Sequence, residues 1–239
     1  MSRFAGRTSL KRRRLLVGCS FAVSLSLVAG MTDAVGFLAA GDFVAFMSGN
    51  TTRMSIALAQ GRFEPALRLA LVLCAFVAGN TLGVVLARLC GNRQIVLLAV
   101  VAVFTSAGLF QGQVPFSVLS VAFAMGIINV VLEEVNGQPL GVSYVTGALS
   151  RFGRGLGRLV LGEGRSGWWL QILPWFGLFA GTVIGAFLQE ALGPSAFLAC
   201  GASALLMGIV SLAIPKRWRR GFIASPSPQR AAKRRMEVS

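Results

Sequence analysis

FVAGNTLGVVL, residues 76–86, is echoed a hundred residues later by LFAGTVIGAFL, residues 178–188. Each is an apolar run carrying two glycines four apart, Gly79 and Gly83 in the first, Gly181 and Gly185 in the second. Glycines at that spacing lie on one face of a helix, where a second helix can approach closely in lipid. The echo extends outward from this pair. LVAGMTDAVGFL (27–38) aligns with FAMGIINVVLEE (123–134), which sets Gly30 against Gly126 and Asp33 against Asn129. Phe46-Met47-Ser48-Gly49 aligns with Tyr144-Val145-Thr146-Gly147, and Gly91 with Gly193. The offsets are 96, 98, 102 and 102, so order is kept while loops lengthen. Periods of this size mark duplicated membrane units.

Composition supports that reading. Of 239 residues, 55% are hydrophobic and only 13% charged, and mean hydropathy is +0.72. Long apolar stretches stand at about 15–40, 65–90, 93–111, 115–133, 168–190 and 194–214. The fold expected is an all-α polytopic membrane protein of about six transmembrane helices, arranged as a 3+3 inverted repeat. Three spans per unit is an odd number, so the second copy must enter the bilayer upside down. The chain then divides into a basic N-terminus (1–14), a first repeat (15–111), a second repeat (112–214) and a basic, disordered tail (215–239). Segments 41–64 and 134–167 are too polar for ordinary spans and too apolar for aqueous loops. They are expected to be discontinuous or re-entrant. The alternative is eight spans, with both segments crossing; it sets Arg53 near mid-span at a cost of about 2.5–3.5 kcal/mol.

A net charge of +15 raises nucleic acid as a partner. The basic residues, however, gather at the ends and in a few loops, as positive-inside topology demands. With six spans and both termini cytoplasmic, 20 of the 23 Lys and Arg fall inside, leaving Arg53, Arg62 and Arg68 outside. The bilayer and its anionic headgroups account for the charge, so no nucleic-acid partner is expected. Lys11-Arg12-Arg13-Arg14 followed by apolar sequence imitates a signal start, but the run continues to about Ala40 and reads as a retained span. Cys19, Cys74, Cys90 and Cys200 show no paired spacing and read as small hydrophobes. There is no histidine. Without it, without a Gly-x-Ser-x-Gly elbow and without paired intramembrane aspartates, no enzyme, cofactor or metal site is expected. Gly153-x-Gly155-x-Gly157 lacks the strand and acidic partner of a dinucleotide fingerprint.

Asp33 is the sharpest functional candidate. A carboxylate within a span is costly and faces a cavity, a partner or the bundle interior. Ala29, Gly30, Gly36 and Ala40 share its helical face, so neighbouring helices can come close there. Two roles are open: proton or cation coupling, and a structural hydrogen bond. In Ser48-Gly49-Asn50-Thr51-Thr52, Gly49 permits a sharp turn and Ser48 or Asn50 can cap a short helix. A helix broken at membrane depth bares backbone groups that can hold a substrate; a capping turn outside the membrane is the plainer reading. The second-half counterparts are Ser143, Tyr144, Thr146 and Gly147, with Asn129 opposite Asp33 and Asn80 beside Gly79. Arg151, Arg154 and Arg158 follow at helical spacing and read as an anchored cytoplasmic helix end.

Taken together, AGMTDAVGFL (29–38), FMSGNTTRM (46–54), AMGIINVVL (124–132) and YVTGALSRFG (144–153) resemble the YoaK family of bacterial inner-membrane proteins, over about residues 15–214. The resemblance implies a multi-spanning protein of the bacterial inner membrane, for which small-molecule transport is a proposed role. Family members commonly carry a longer side chain or tyrosine near Met31-Thr32, so no substrate carries over. The expected function is transport or facilitation, with export as one option, of a small molecule, coupled or not to a proton or cation. Asp33, Ser48, Gly49, Asn50, Thr51, Thr52, Asn80, Asn129, Ser143, Tyr144, Thr146 and Gly147 are the candidate substrate or coupling residues. A non-transporting assembly or sensor module is the alternative, and a homo-oligomer is compatible with either.

Overall fold

The computed structural model of the chain describes residues 2–91, 93–110, 114–135, 138–139, 145–164, 167–219 and 222. Six apolar helices fall on the six apolar stretches: α1 (Ser2–Ala40), α3 (Phe63–Leu89), α4 (Gln94–Ser106), α5 (Val114–Val131), α7 (Leu173–Leu192) and α8 (Ala196–Ala213). Two shorter helices lie between them, α2 (Met47–Ala59) and α6 (Val145–Val160), and a final turn, α9 (Lys216–Arg219), follows α8. A helix satisfies its own backbone, which is why apolar sequence in lipid adopts it. By length and composition, Arg13–Ala40, Phe63–Leu89 and Trp168–Ala213 can cross a membrane; the last contains α7 and α8, divided at Gly193–Ser195. Gln94–Leu109 and Phe116–Val131 are shorter apolar helices.

Every apolar helix packs chiefly on one from the other half: α1 on α7, α3 on α5, α4 on α8. Glycines make the first two crossings. On α7, a Cβ added at Gly177, Gly181 or Gly185 would strike the backbone carbonyls of Val23, Leu27 and Met31 on α1. Gly30 of α1 meets the Leu178 carbonyl in return. On α3, Gly79 lies against the Phe123 carbonyl and Gly83 against Ile127 and Val130 of α5, while Gly126 lies against the Phe76 carbonyl. Both GxxxG faces expected from the sequence are thus packing faces, with backbones in direct contact. The outward surfaces of α3, α7 and α8 are apolar and exposed, at Leu67, Val77, Phe179, Phe187, Leu206 and Ile209 among others. That is the surface a bilayer covers. Gly91 (φ +64°) and Gly193 (φ +54°) end α3 and α7, in the left-handed region that glycine alone enters without strain.

The helix of the first span extends back through the basic N-terminus to Ser2; Arg and Lys are good helix formers and the apolar run propagates through them. Two expectations need correction. The tail, expected to be disordered from 215, docks at its start. Its α9 turn places Phe222, fully buried, against Phe21 at 5.8 Å between ring centroids. Glu133 and Glu134 donate backbone N–H groups to the Phe222 carbonyl at 2.7 and 3.1 Å. One aromatic residue with an apolar socket outweighs the polar composition around it. Finally, Gly49 does not break α2: the chain turns at 41–46, and Gly49 lies inside the helix. It makes room for rings, since a Cβ there would collide with Phe46.

At 13 and 16 residues, α2 and α6 reach roughly 20 and 24 Å against a ~30 Å hydrocarbon core, and unlike the equally short α4 they carry arginine, Arg53 in α2 and Arg151, Arg154 and Arg158 in α6. α6 is strongly amphipathic. Its Gly155 seats Trp168, and Arg151 Nε donates to Gln171 Oε1 at 2.7 Å. Gly155 is therefore a helix-docking glycine, with no part in a phosphate loop.

Candidate functional site

The turn after α1 poses a local problem. α1 stops at Ala40, Gly41 reverses the chain (φ +76°), and residues 42–46 carry backbone groups that no helix satisfies. In apolar surroundings each needs a partner. Asp33, seven residues back on α1, supplies one for three of the N–H groups. Its Oδ1 accepts N–H bonds from Val44 (2.8 Å), Ala45 (2.7 Å) and Phe46 (3.4 Å). Asn50, fully buried on α2, completes the turn from the other side: its Oδ1 accepts from Phe43 N–H at 3.3 Å and its Nδ2 donates to the Phe43 carbonyl at 2.6 Å. The rings of Phe37, Phe43 and Phe46 pack together over this turn, with centroids 4.6 and 5.3 Å apart. Asp33 and Asn50 are therefore joined through the 43–46 backbone.

A third residue, not among the candidates the sequence offers, belongs to the site. Asp42 is 0% exposed and holds two arginines, Arg53 of α2 at 3.2 Å and Arg68 of α3 at 2.9 Å. One carboxylate thus links the turn to both following helices. A signal existed: the chain has only two aspartates, Asp33 and Asp42, and Arg53 and Arg68 are two of the three basic residues that topology leaves outside. Removing the carboxylate by Asp42→Asn is expected to cost about 1–3 kcal/mol, less than a fully buried pair, because the arginine side chains are 38% and 40% exposed. Thermal melts in detergent measure this. In the Asp42→Asn background, Arg68→Met should cost little more, and full additivity of the two losses would refute the pairing as an energetic unit.

The remaining candidates are placed elsewhere. Ser48, Thr51 and Thr52 are exposed on α2, and the two threonine hydroxyls donate to their own helix, to the Met47 carbonyl (2.9 Å) and the Ser48 carbonyl (3.1 Å). Asn80 likewise donates to Phe76 O at 3.0 Å and the buried Asn129 to Met125 O at 2.9 Å, inside the α3–α5 pair. The nearest free acceptor for such side chains is the i−4 carbonyl, a local preference that spacing alone does not reveal. Thr146 and Gly147 open α6, exposed and half-buried. Ser143 and Tyr144 lie outside the described residues. α2 packs on α3 and α6 on the Trp168–Ile172 turn and α7, so the two short helices are not packed on each other. Among the described residues, the polar contacts of Asp33 gather in one clamp at the end of α1. Among the described residues no three Asp, Glu or Cys side chains gather as metal ligands.

These features define an all-α integral membrane protein with a polar turn locked by Asp33, Asn50 and Asp42. Residues 21–211 match the family described as protein of unknown function (DUF1275), and the chain belongs to that family. It is similar to the UPF0700 transmembrane protein RA0705 of Rhizobium meliloti (strain 1021), with 46% identity over 219 residues, 92% of this chain and 97% of that relative. No solved structure matches the chain.

Proposed function

We propose that the protein transports, or facilitates the passage of, a small molecule, and is built as a 3+3 inverted repeat of six spans over 15–111 and 112–214. One observation carries the reading: the glycine contacts repeat at the offsets of the sequence echo. Gly30 against Leu178 becomes Gly126 against Phe76, by offsets of 96 and 102. Gly181 against Leu27 becomes Gly79 against Phe123 by the same two offsets. The Phe76 and Leu178 carbonyls even receive equivalent side-chain donors, Asn80 at 3.0 Å and Thr182 at 2.9 Å. Chance alignment of apolar sequence supplies no reason for contacts to pair this way. Inverted repeats support alternating access by rocking one bundle against the other.

In this reading the clamp is an outer gate, with both termini in the cytoplasm of a bacterial cell. Asp33 acts as a gating carboxylate through the turn it holds. Protonation would weaken its hold on the three N–H groups, which offers a route for proton coupling. The second half carries Asn129 at the equivalent position, so only one gate titrates. The resemblance to the YoaK family rests on the same motifs and points the same way. The test is solute counterflow in proteoliposomes, followed by mass spectrometry of a broad metabolite mixture. At least one solute should exchange with the parent, and Asp33→Asn should slow it roughly tenfold or more, the loss of one strong charge-assisted contact. Retention of every activity by Asp33→Asn and Asn50→Ala would sink the gating role. A second reading, a non-transporting assembly or sensor module, is favoured by the backbone-to-backbone crossings and by the full engagement of Asp33 Oδ1. It predicts no solute exchange by the parent.

A further inference from the structure

At the opposite end of the bundle from the Asp33 turn, the α3–α4 turn, the end of α8 and α9 enclose a cavity of about 560 Å³. Its walls include Arg93, Lys216 and Arg219 together with Cys90, Gly91 and Ile95. Among the described residues no carboxylate lines it. Glu133 and Glu134 approach the tail through their backbone N–H groups, which bond the Phe222 carbonyl. Arg219 is the residue that needs explaining. It is only 8% exposed, and its Nε has no hydrogen-bond partner among the described residues. A buried N–H of a guanidinium left without an acceptor is costly, and such groups are held for a ligand or paired.

The arginine is also held in place. Its carbonyl accepts from Gln94 Nε2 at 3.2 Å and from Phe222 N–H at 3.0 Å, and the Phe222 ring is stacked on Phe21. The docked tail therefore fixes Arg219 against the first turn of α4. That turn is a 13-residue helix's N-terminus with no side-chain cap, so its leading N–H groups add positive potential to the same cavity. Three cationic side chains, a positive helix end and an absence of lining carboxylates converge on one space large enough for a substituted phosphate.

We infer that this cavity binds a phosphoryl group, carried either by an anionic phospholipid headgroup or by a soluble phosphate, with Arg93, Lys216 and Arg219 as its ligands. Basic pockets between spans on the cytoplasmic side take phosphate headgroups by this chemistry. The experiment uses the full chain, delipidated in a neutral detergent. Binding of short-chain phosphatidylglycerol, phosphatidylcholine and inorganic phosphate is measured by native mass spectrometry and thermal shift. Arg93 and Lys216 are exposed, so Arg93→Gln/Lys216→Gln leaves the core intact, whereas Arg219→Gln tests the buried group. The neighbouring exposed Arg217 is not part of the lining, and Arg217→Gln serves as the control. Phosphatidylglycerol should bind, and the double variant should weaken it roughly thirtyfold, at about fivefold per basic contact, while Arg217→Gln leaves it unchanged. Saturable binding of inorganic phosphate, lost in the same variant, would identify the soluble source; binding of phosphatidylglycerol alone, the lipid. The proposal is overturned if neither ligand binds the parent, if phosphatidylcholine binds as well as phosphatidylglycerol, or if Arg217→Gln weakens binding as much as the double variant.

Discussion

Gly181→Leu and Gly79→Leu are each expected to abolish accumulation of folded protein in the membrane. The cause is geometric. At both positions the first side-chain carbon would fall on a backbone carbonyl of the partner helix, that of Leu27 or Phe123. A flexible side chain could move aside; a carbonyl inside a helix moves only if the helix bends or withdraws. Overpacking a core ordinarily costs about 1–3 kcal/mol, and a clash with backbone lies at or above the top of that range. Withdrawal would also break the neighbouring contacts at Gly177 and Gly185, because they share the same ridge. Fluorescence-detected size exclusion and melting in detergent read the result. Gly153→Ala and Gly157→Ala are the controls, since a Cβ there meets nothing within 4 Å and alanine favours the helix. Normal yield and melting of either leucine variant would mean that the crossings are looser than described.

Asp33→Ala should bring the second large loss, concentrated at one turn. Oδ1 is the acceptor for the N–H groups of Val44, Ala45 and Phe46. Val44 and Ala45 are buried, so alanine leaves donors that water cannot readily reach. At about 1–3 kcal/mol for each orphaned group, a total near 3–5 kcal/mol is expected after local relaxation. Asp33→Asn keeps an acceptor oxygen at the same place and should retain most of the stability. Hydrogen exchange localises the effect: residues 43–47 should lose protection in Asp33→Ala, while the α3–α5 pair stays protected. A uniform loss across the protein, or none at the turn, contradicts the clamp. The pair of variants also separates two roles, because a gating carboxylate makes Asp33→Asn stable yet slow in exchange.

Much of the architecture is readable without coordinates. Apolar runs near bilayer length give the six helices because lipid leaves a backbone few alternatives. The paired glycines at 79/83 and 181/185 mark the crossings because only the smallest residue lets two backbones touch. Asp33 stands out because a carboxylate in such a run requires a partner. The short segments were harder to read. Ser48, Thr51 and Thr52 look like a binding motif by composition, yet the threonines turn back to carbonyls one turn away. Asp42 does not stand out in the sequence, because a carboxylate beside a glycine in a polar linker resembles any solvated loop residue. Its significance depends on Arg53 and Arg68, which are 11 and 26 positions further along.

The sequence by itself therefore determined the class of protein, its helices and the faces on which they cross, since those follow from hydropathy and side-chain size along one chain. Only the tertiary structure decided that Asp33 and Asn50 close a turn, that Asp42 joins two helices, and that Phe222 carries Arg219 into a basic cavity. Each of these depends on which distant atoms are brought within about 3 Å of one another, a distance over which hydrogen bonds and ion pairs are decided and hydropathy is silent.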